Sequence, residues 1–309
     1  MAKSSNRNLI IKLVFGLALL FFVGWKVVGA FLNEEYKELV FADSGVLFML
    51  FALCLMPLNW FFEAFKWHLL SQRIQKQSFG TSLKQVLAGV STSLMTPNRI
   101  GNFIGRAILA PKGDKSAVIV ATIHSNLAQF TASILFGFLG LLLIGFQETI
   151  ISETTIQISA LIVLAVGFLF YFFPNLLLLN PIQKLFSDDV KLSIKSVQHQ
   201  TVLFKLIIVI ISLMRYLVFL SQFALILYAL NVKLDIQQMI PAIAVVFLIT
   251  TVIPSFLFGK LFVREASALF ILSAFGVSSF TILASVFILW VANLAVPALV
   301  GATILFKEK

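Results

Sequence analysis

The chain has 309 residues, of which 60% are hydrophobic and 12% charged, and its mean hydropathy is +1.02. A water-soluble domain carries about 25% charged residues, so this composition excludes a soluble fold and indicates a polytopic helical membrane protein. The net charge of +10 is spread between apolar runs; that pattern fits loops obeying the positive-inside rule and argues against nucleic acid as a partner.

Residues 1–8 are polar and basic, and an apolar run follows over 9–32. This start mimics a cleaved signal peptide, but the run is long and contains Lys12 and Lys26, which favours an uncleaved first span. After an acidic stretch, Asp43-Ser44 is a good N-cap for a second span reaching Leu70. Near its end lie Glu63, Lys66 and Trp67. Lys66 with Trp67 reads as an interfacial anchor, while Glu63 and Lys66, three residues apart, face each other on a helix. Residues 82–96 are apolar with small and hydroxyl side chains, which permit close helix packing, but are short for a full span. Pro97 breaks this helix, and residues 98–110 form a second short one, so 82–110 is expected to be a re-entrant hairpin.

Residues 116–146 and 156–179 read as further spans, and 180–201 as a polar cytoplasmic linker. Another span covers 202–230, with Arg215 inside it; Arg215 and His124 are taken as packing or capping groups in preference to members of a relay. Residues 239–275 form a second hairpin, arriving from Pro241 and broken at Pro254, and 277–305 is the last span. The fold class expected is therefore an all-α polytopic membrane protein in a single transmembrane domain, with about six full spans and two broken re-entrant hairpins.

With both termini inside, the cytoplasmic loops carry most of the lysines and arginines, whereas the outer loops carry only Lys37 and Lys233. Each hairpin reads Pro, Gly, Arg: Pro97, Gly101, Arg106 and Pro254, Gly259, Arg264. An odd number of full spans separates them, so they enter from opposite sides, as inverted repeats over 44–146 and 202–305. Inverted repeats with broken helices are a transporter architecture.

Charges inside bilayer-length apolar sequence cost roughly 2.5–3.5 kcal/mol each and usually mark a pathway or binding site. Arg99, Arg106, Lys260 and Arg264 are cationic donors close to two helix breaks whose N–H groups are unpaired, a setting that suits phosphate. Asn102 shares a face with Arg106, and Lys260 with Arg264. Glu265 points elsewhere on its helix, and its expected partner is Lys66, Arg99 or Arg106. The competing explanation is that these charges only pin the hairpins together. The single cysteine, Cys54, permits no internal disulfide, the three histidines lack metal-ligand spacing, and no nucleophile–base pair is visible. No cofactor, no metal and no enzymatic activity are expected.

At these residues the chain resembles the transmembrane region of lysylphosphatidylglycerol synthase, a flippase-like family. The resemblance rests on Pro254 followed by Gly259-Lys260-Leu261-Phe262-Val263-Arg264-Glu265-Ala266 and then Gly276-Val277-Ser278. It is joined by Pro97-Asn98-Arg99-Ile100-Gly101-Asn102 with Arg106, and by Lys66-Trp67-His68-Leu69-Leu70. It spans residues 10–305. Asn102 stands where the family often has glutamate, and Lys260 and Phe262 replace glycines. The synthase's aminoacyl-transferase domain has no counterpart here, so the resemblance implies lipid translocation or binding and not lipid aminoacylation. Together with the charges at the breaks, the expectation is transport of an anionic or zwitterionic membrane lipid with a phosphate headgroup in a bacterial-type cytoplasmic (inner) membrane. Arg99, Arg106, Lys260 and Arg264 would hold the phosphate, Glu265 and Glu63 would balance charge or read a cationic part of the headgroup, and Asn102 and Lys66 complete the substrate-binding candidates. A homo-oligomer is left open.

Overall fold

A computed structural model describes residues 40–94, 96, 100–110, 115–144, 153–179, 182–253 and 259–307, together with Trp25 and Val28. The expected first span over 9–32, the breaks at Pro97 and Pro254, Arg99 and the side chain of Lys260 lie outside the described residues.

The described chain is helical. Helix α1 (Gly45–Ser71) is followed by α2 (Phe79–Leu94), α3 (Gly101–Ile108), α4 (Lys115–Ile144), α5 (Glu153–Phe172), α6 (Asp188–Gln198), α7 (Val202–Ala229), α8 (Ile236–Val252), α9 (Gly259–Leu272) and α10 (Ser279–Lys307). Four of these, α1, α4, α7 and α10, are long and apolar enough to cross a membrane. Their outer faces expose large apolar side chains such as Phe61, Leu143, Leu203 and Leu299, the surface a lipid-facing helix presents in place of a charged one.

The fourth expected span, over 156–179, ends early. Its helix, α5, stops at Phe172, and a 3₁₀ turn over Pro174–Leu178 follows. Proline lacks the N–H the next turn needs and keeps the preceding residue out of the α region; Phe173 accordingly sits at φ −122°, ψ 63°. The linker over 180–201 is also more ordered than its polarity implies. It contains α6, whose Ile194 and Val197 are buried with Val120 of α4. Lys205 at the start of α7 ties this region down, its Nζ donating to Phe172 O at 2.9 Å and Gln198 O at 3.3 Å. The ammonium thus serves carbonyls left unpaired at two helix ends. His124, on α4, stacks on Tyr171 with ring centroids 4.4 Å apart, a packing role of the kind expected for it.

Local sequence accounts for the other boundaries. Ser44 occupies the N-cap of α1 as expected but makes no side-chain cap; Gly45 N–H donates to Ala42 O, and Ala42 N–H to Ala229 O, tying the start of α1 to the end of α7. Helix α7 ends on Asn231, at φ 58°, with Asn231 N–H donating to Tyr228 O and Val232 N–H to Leu227 O. This is the Schellman pattern, and asparagine tolerates the left-handed position it needs. Helix α8 starts at Ile236, ahead of the expected arrival point, so Pro241 lies within its first turns. Gly276, at φ 77°, ends the helical run after α9, and Ser278 caps α10 by accepting from Thr281 N–H.

Two tight packings shape the centre. Helices α2 and α3 form a close pair because Gly101 and Gly105 bring α3 against the backbone of Thr92 and Ala88, where a Cβ at either position would overlap. Gly301 of α10 meets Leu87 O of α2 in the same way, so both contacts use the small residues that let membrane helices approach. The main hydrophobic core lies where α8 packs between α4, α7 and α9, around Phe223, Ile243 and Val246, and continues to Leu289 of α10.

Candidate functional site

Glu63 stands at the centre of a buried charge cluster. Its Oε1 accepts from Arg106 Nη2 at 2.7 Å. Its Oε2 is approached by Lys66 Nζ at 3.0 Å and Arg215 Nη1 at 3.1 Å, contacts that are electrostatic without hydrogen-bond alignment. One carboxylate on α1 therefore holds three cations from α1, α3 and α7. Burial of charge is tolerated when charges are paired and hydrogen-bonded, and the neighbours supply the remaining bonds. Arg106 Nε donates to Asn102 Oδ1 at 3.2 Å, one turn back on α3. Arg215 Nε donates to Asn59 Oδ1 at 2.9 Å and its Nη1 to Gln129 Oε1 at 3.2 Å. Asn59 in turn donates to Asn293 Oδ1 at 2.6 Å, and Lys66 Nζ donates to Ser125 O at 3.4 Å.

Asn293 lies in a π turn over Val291–Ala295 within α10. Pro297 follows it by one turn and has no N–H to offer the regular ladder, and such π turns often occur at functional sites.

This cluster forms one side of a cavity of about 340 Å3. Glu63, Asn102, Arg106, Arg215 and Arg264 line it, and α1, α2, α3, α4, α7, α8, α9 and α10 all contribute to its wall. The guanidinium groups lie against aromatic faces. Arg106 sits 4.6 Å from the Trp67 ring, Arg215 lies 5.4 Å from Phe219, and Arg264 lies 5.7 Å from Phe247. Stacking of this kind holds a weakly hydrated cation without neutralising it.

Among the expected site residues, Glu63, Asn102, Arg106 and Arg264 meet at this cavity. Lys66 is buried behind it, paired to Glu63. The reading of Lys66 and Trp67 as interfacial anchors is overturned: they are 1% and 0% exposed, and Trp67 Nε1 donates to Gln85 Oε1 at 2.7 Å. The face of α1 that carries them packs against Ser125 of α4 and Gln85 of α2. Glu265 is buried, but among the described residues neither Lys66 nor Arg106 pairs with it; both are engaged by Glu63. Gly259 opens α9 as expected after a break. Gly101 opens α3, yet its N–H is not unpaired, because Thr96 Oγ1 accepts it.

Arg215, expected as a packing group, turns out to be an ion-pair partner of Glu63 and a cavity residue. Asn59 and Asn293 escape sequence reasoning, and Gln129 is visible there only as a polar residue within a span. Their signal was a polar side chain deep within an apolar span, which by itself does not say which face it occupies.

The chain matches the family model described as the lysylphosphatidylglycerol synthase TM region over residues 9–301. The chain belongs to that family. No curated protein and no solved structure gives a significant match. As a member of the lysylphosphatidylglycerol synthase TM family it is an integral membrane protein, and the four long apolar helices agree.

Proposed function

We propose that the protein is a flippase-like transporter that moves a phosphate-bearing lipid between leaflets of a bacterial cytoplasmic membrane. The observation that carries this reading is the convergence of Arg106, Arg215 and Arg264, from α3, α7 and α9, on one cavity among the long apolar helices. Guanidinium groups grip phosphate oxygens through paired N–H donors, and binding sites near the midplane between broken helices are a transporter arrangement. Residues 44–146 and 202–305 act in this reading as inverted repeats that rock against each other, one bearing Arg106 and the other Arg215 and Arg264. Arg99 and Lys260 add cations at the breaks. The work is carriage, not bond chemistry.

The test is lipid scrambling in proteoliposomes. Arg264→Ala, at unchanged yield of folded protein, is expected to abolish transport of a fluorescent phospholipid; transport at the wild-type rate would remove Arg264 from the mechanism. A second reading is a non-transporting lipid-binding protein. The bracing of α1, α3 and α7 by Glu63 favours it, because such ion pairs resist rocking. Lipid that binds but never changes leaflet would select it. A polyprenyl phosphate or a small anion is also compatible with the same arginines.

A further inference from the structure

Trp67 and Arg106 are buried together, with the guanidinium 4.6 Å from the indole ring. A cation held over an aromatic face depends on the plane of that ring. The plane of Trp67 is set by a third helix. Its Nε1 donates at 2.7 Å to Oε1 of Gln85, a buried side chain on α2. The other end of the same amide reaches α3, where Gln85 Nε2 donates to Leu109 O at 3.3 Å. Leu109 is the C-cap of α3, a position whose carbonyl has no partner in the helical ladder, and Arg106 lies in the last turn before it. One amide therefore fixes both the ring on which Arg106 rests and the end of the helix that carries it. Gln85 is not on the cavity wall, so it can act on a ligand only through these neighbours.

The orientation of that amide is itself determined. Gln85 Oε1 accepts a second time, from Gln77 Nε2 at 2.9 Å. A flipped amide would set its N–H groups against two donors and its oxygen against a carbonyl. Gln77 belongs to the loop over 72–78 that joins α1 to α2. Its Nε2 also lies 2.8 Å from the hydroxyls of Ser71 and Ser82, and its carbonyl accepts from Gln72 Nε2 at 2.6 Å. On the cavity side, Arg106 spends Nη2 on Glu63 and Nε on Asn102. Its Nη1 is buried and has no hydrogen-bond partner among the described residues. The guanidinium is a rigid plane, so a shift of Trp67 or of the end of α3 turns all three nitrogens at once.

We propose that Gln85 is a positioning residue for Arg106. It holds the indole and the end of α3 so that Arg106 Nη1 is presented to a phosphate oxygen in the cavity. The inference rests on the phosphate-lipid reading above and adds a control point outside the cavity, in the polar knot shared with the loop over 72–78.

The test is a double-mutant cycle on the full chain in detergent, with phosphatidylglycerol titrated and read by native mass spectrometry. Gln85→Met and Arg106→Gln are each expected to weaken lipid binding by about fivefold or more, and the double variant to bind no more weakly than Arg106→Gln alone. Gln85→Asn, which keeps an amide on a shorter stem, runs the same cycle where Gln85→Met does not fold. Equal losses from Gln85→Met with and without Arg106 would mark a merely structural role and overturn the proposal. Undiminished binding by Gln85→Met would overturn it too. A second readout needs no lipid. In a chain whose only tryptophan is Trp67, with Trp25, Trp60 and Trp290 replaced by Phe, Arg106→Gln is expected to change the indole emission. Gln85→Met is expected to remove that response. If the emission behaves so while Arg106→Gln leaves lipid binding intact, the placing of Arg106 by Gln85 stands and the phosphate reading of Arg106 falls. An emission response that survives Gln85→Met overturns the positioning role whatever the lipid result.

Discussion

Glu63 is one carboxylate set against three cations, and the consequence is asymmetric. Removing any one cation leaves Glu63 paired, but removing the charge of Glu63 strands Lys66, Arg106 and Arg215 together. Breaking a buried pair costs about 3–5 kcal/mol because a charge is left uncompensated. Glu63→Gln is therefore expected to lower stability by about that amount, measured by denaturant titration in detergent. Adding Lys66→Met to it should recover part of the loss. If Glu63→Gln is no less stable than Lys66→Met alone, Glu63 is not the hub. The same reasoning separates the arginines by role. Arg106 and Arg215 serve both the brace and the cavity, whereas Arg264 lines the cavity with its guanidinium against Phe247 and without an ion pair to Glu63.

Helices α2 and α3 form a pair whose closeness is set by the absence of side chains. Gly105 leaves room for the backbone of Ala88 and the hydroxyl of Thr92, and that hydroxyl also donates to Gly101 O. This pair carries Arg106 to Glu63, so its spacing fixes the geometry of the charge cluster. Gly105→Val places atoms against backbone that cannot yield like a flexible side chain. Overpacking of this kind costs about 1–3 kcal/mol. The expected result is a loss of that order, accompanied by weaker retention of phosphate lipid even where the variant still folds. Full retention of lipid would mean that α3 can shift outward without moving Arg106 from the cavity. Helix α6 is a contrasting case, a mostly polar element tied in by Ile194, Val197 and the carbonyl cap from Lys205.

At the scale of the whole molecule, the cavity sits where the long apolar helices α1, α4, α7 and α10 meet the shorter α2, α3, α8 and α9. The distribution of lysine and arginine between the apolar runs predicts an orientation with both ends of the chain inside. A cysteine placed at Lys76 or at Lys307, in a background with Cys54 replaced, is expected to react with an impermeant maleimide only after the membrane is opened. One placed at Lys233 is expected to react from outside in intact cells. Labelling of Lys76 and Lys233 positions from the same side would show that the first hairpin crosses fully, and it would remove the inverted-repeat reading.

The sequence by itself determined the membrane class, the family, four of the long helices and the candidate residues Glu63, Asn102, Arg106 and Arg264. Hydropathy, helix-length apolar runs and proline breaks are local properties that a linear chain carries openly. It also paired Glu63 with Lys66, because that pair is three residues apart on one helix. What only the tertiary structure decided is which charges meet across helices. Arg215 lies 152 positions beyond Glu63 in the numbering, and nothing local to either residue says that α7 packs along α1 and brings them to 3.1 Å. The rotation of α1 buries Lys66 and Trp67 instead of leaving them at the interface, and the glycine contacts of α3 and α10 fix the distances. Both are set by packing of whole helices, whose outcome depends on every partner at once.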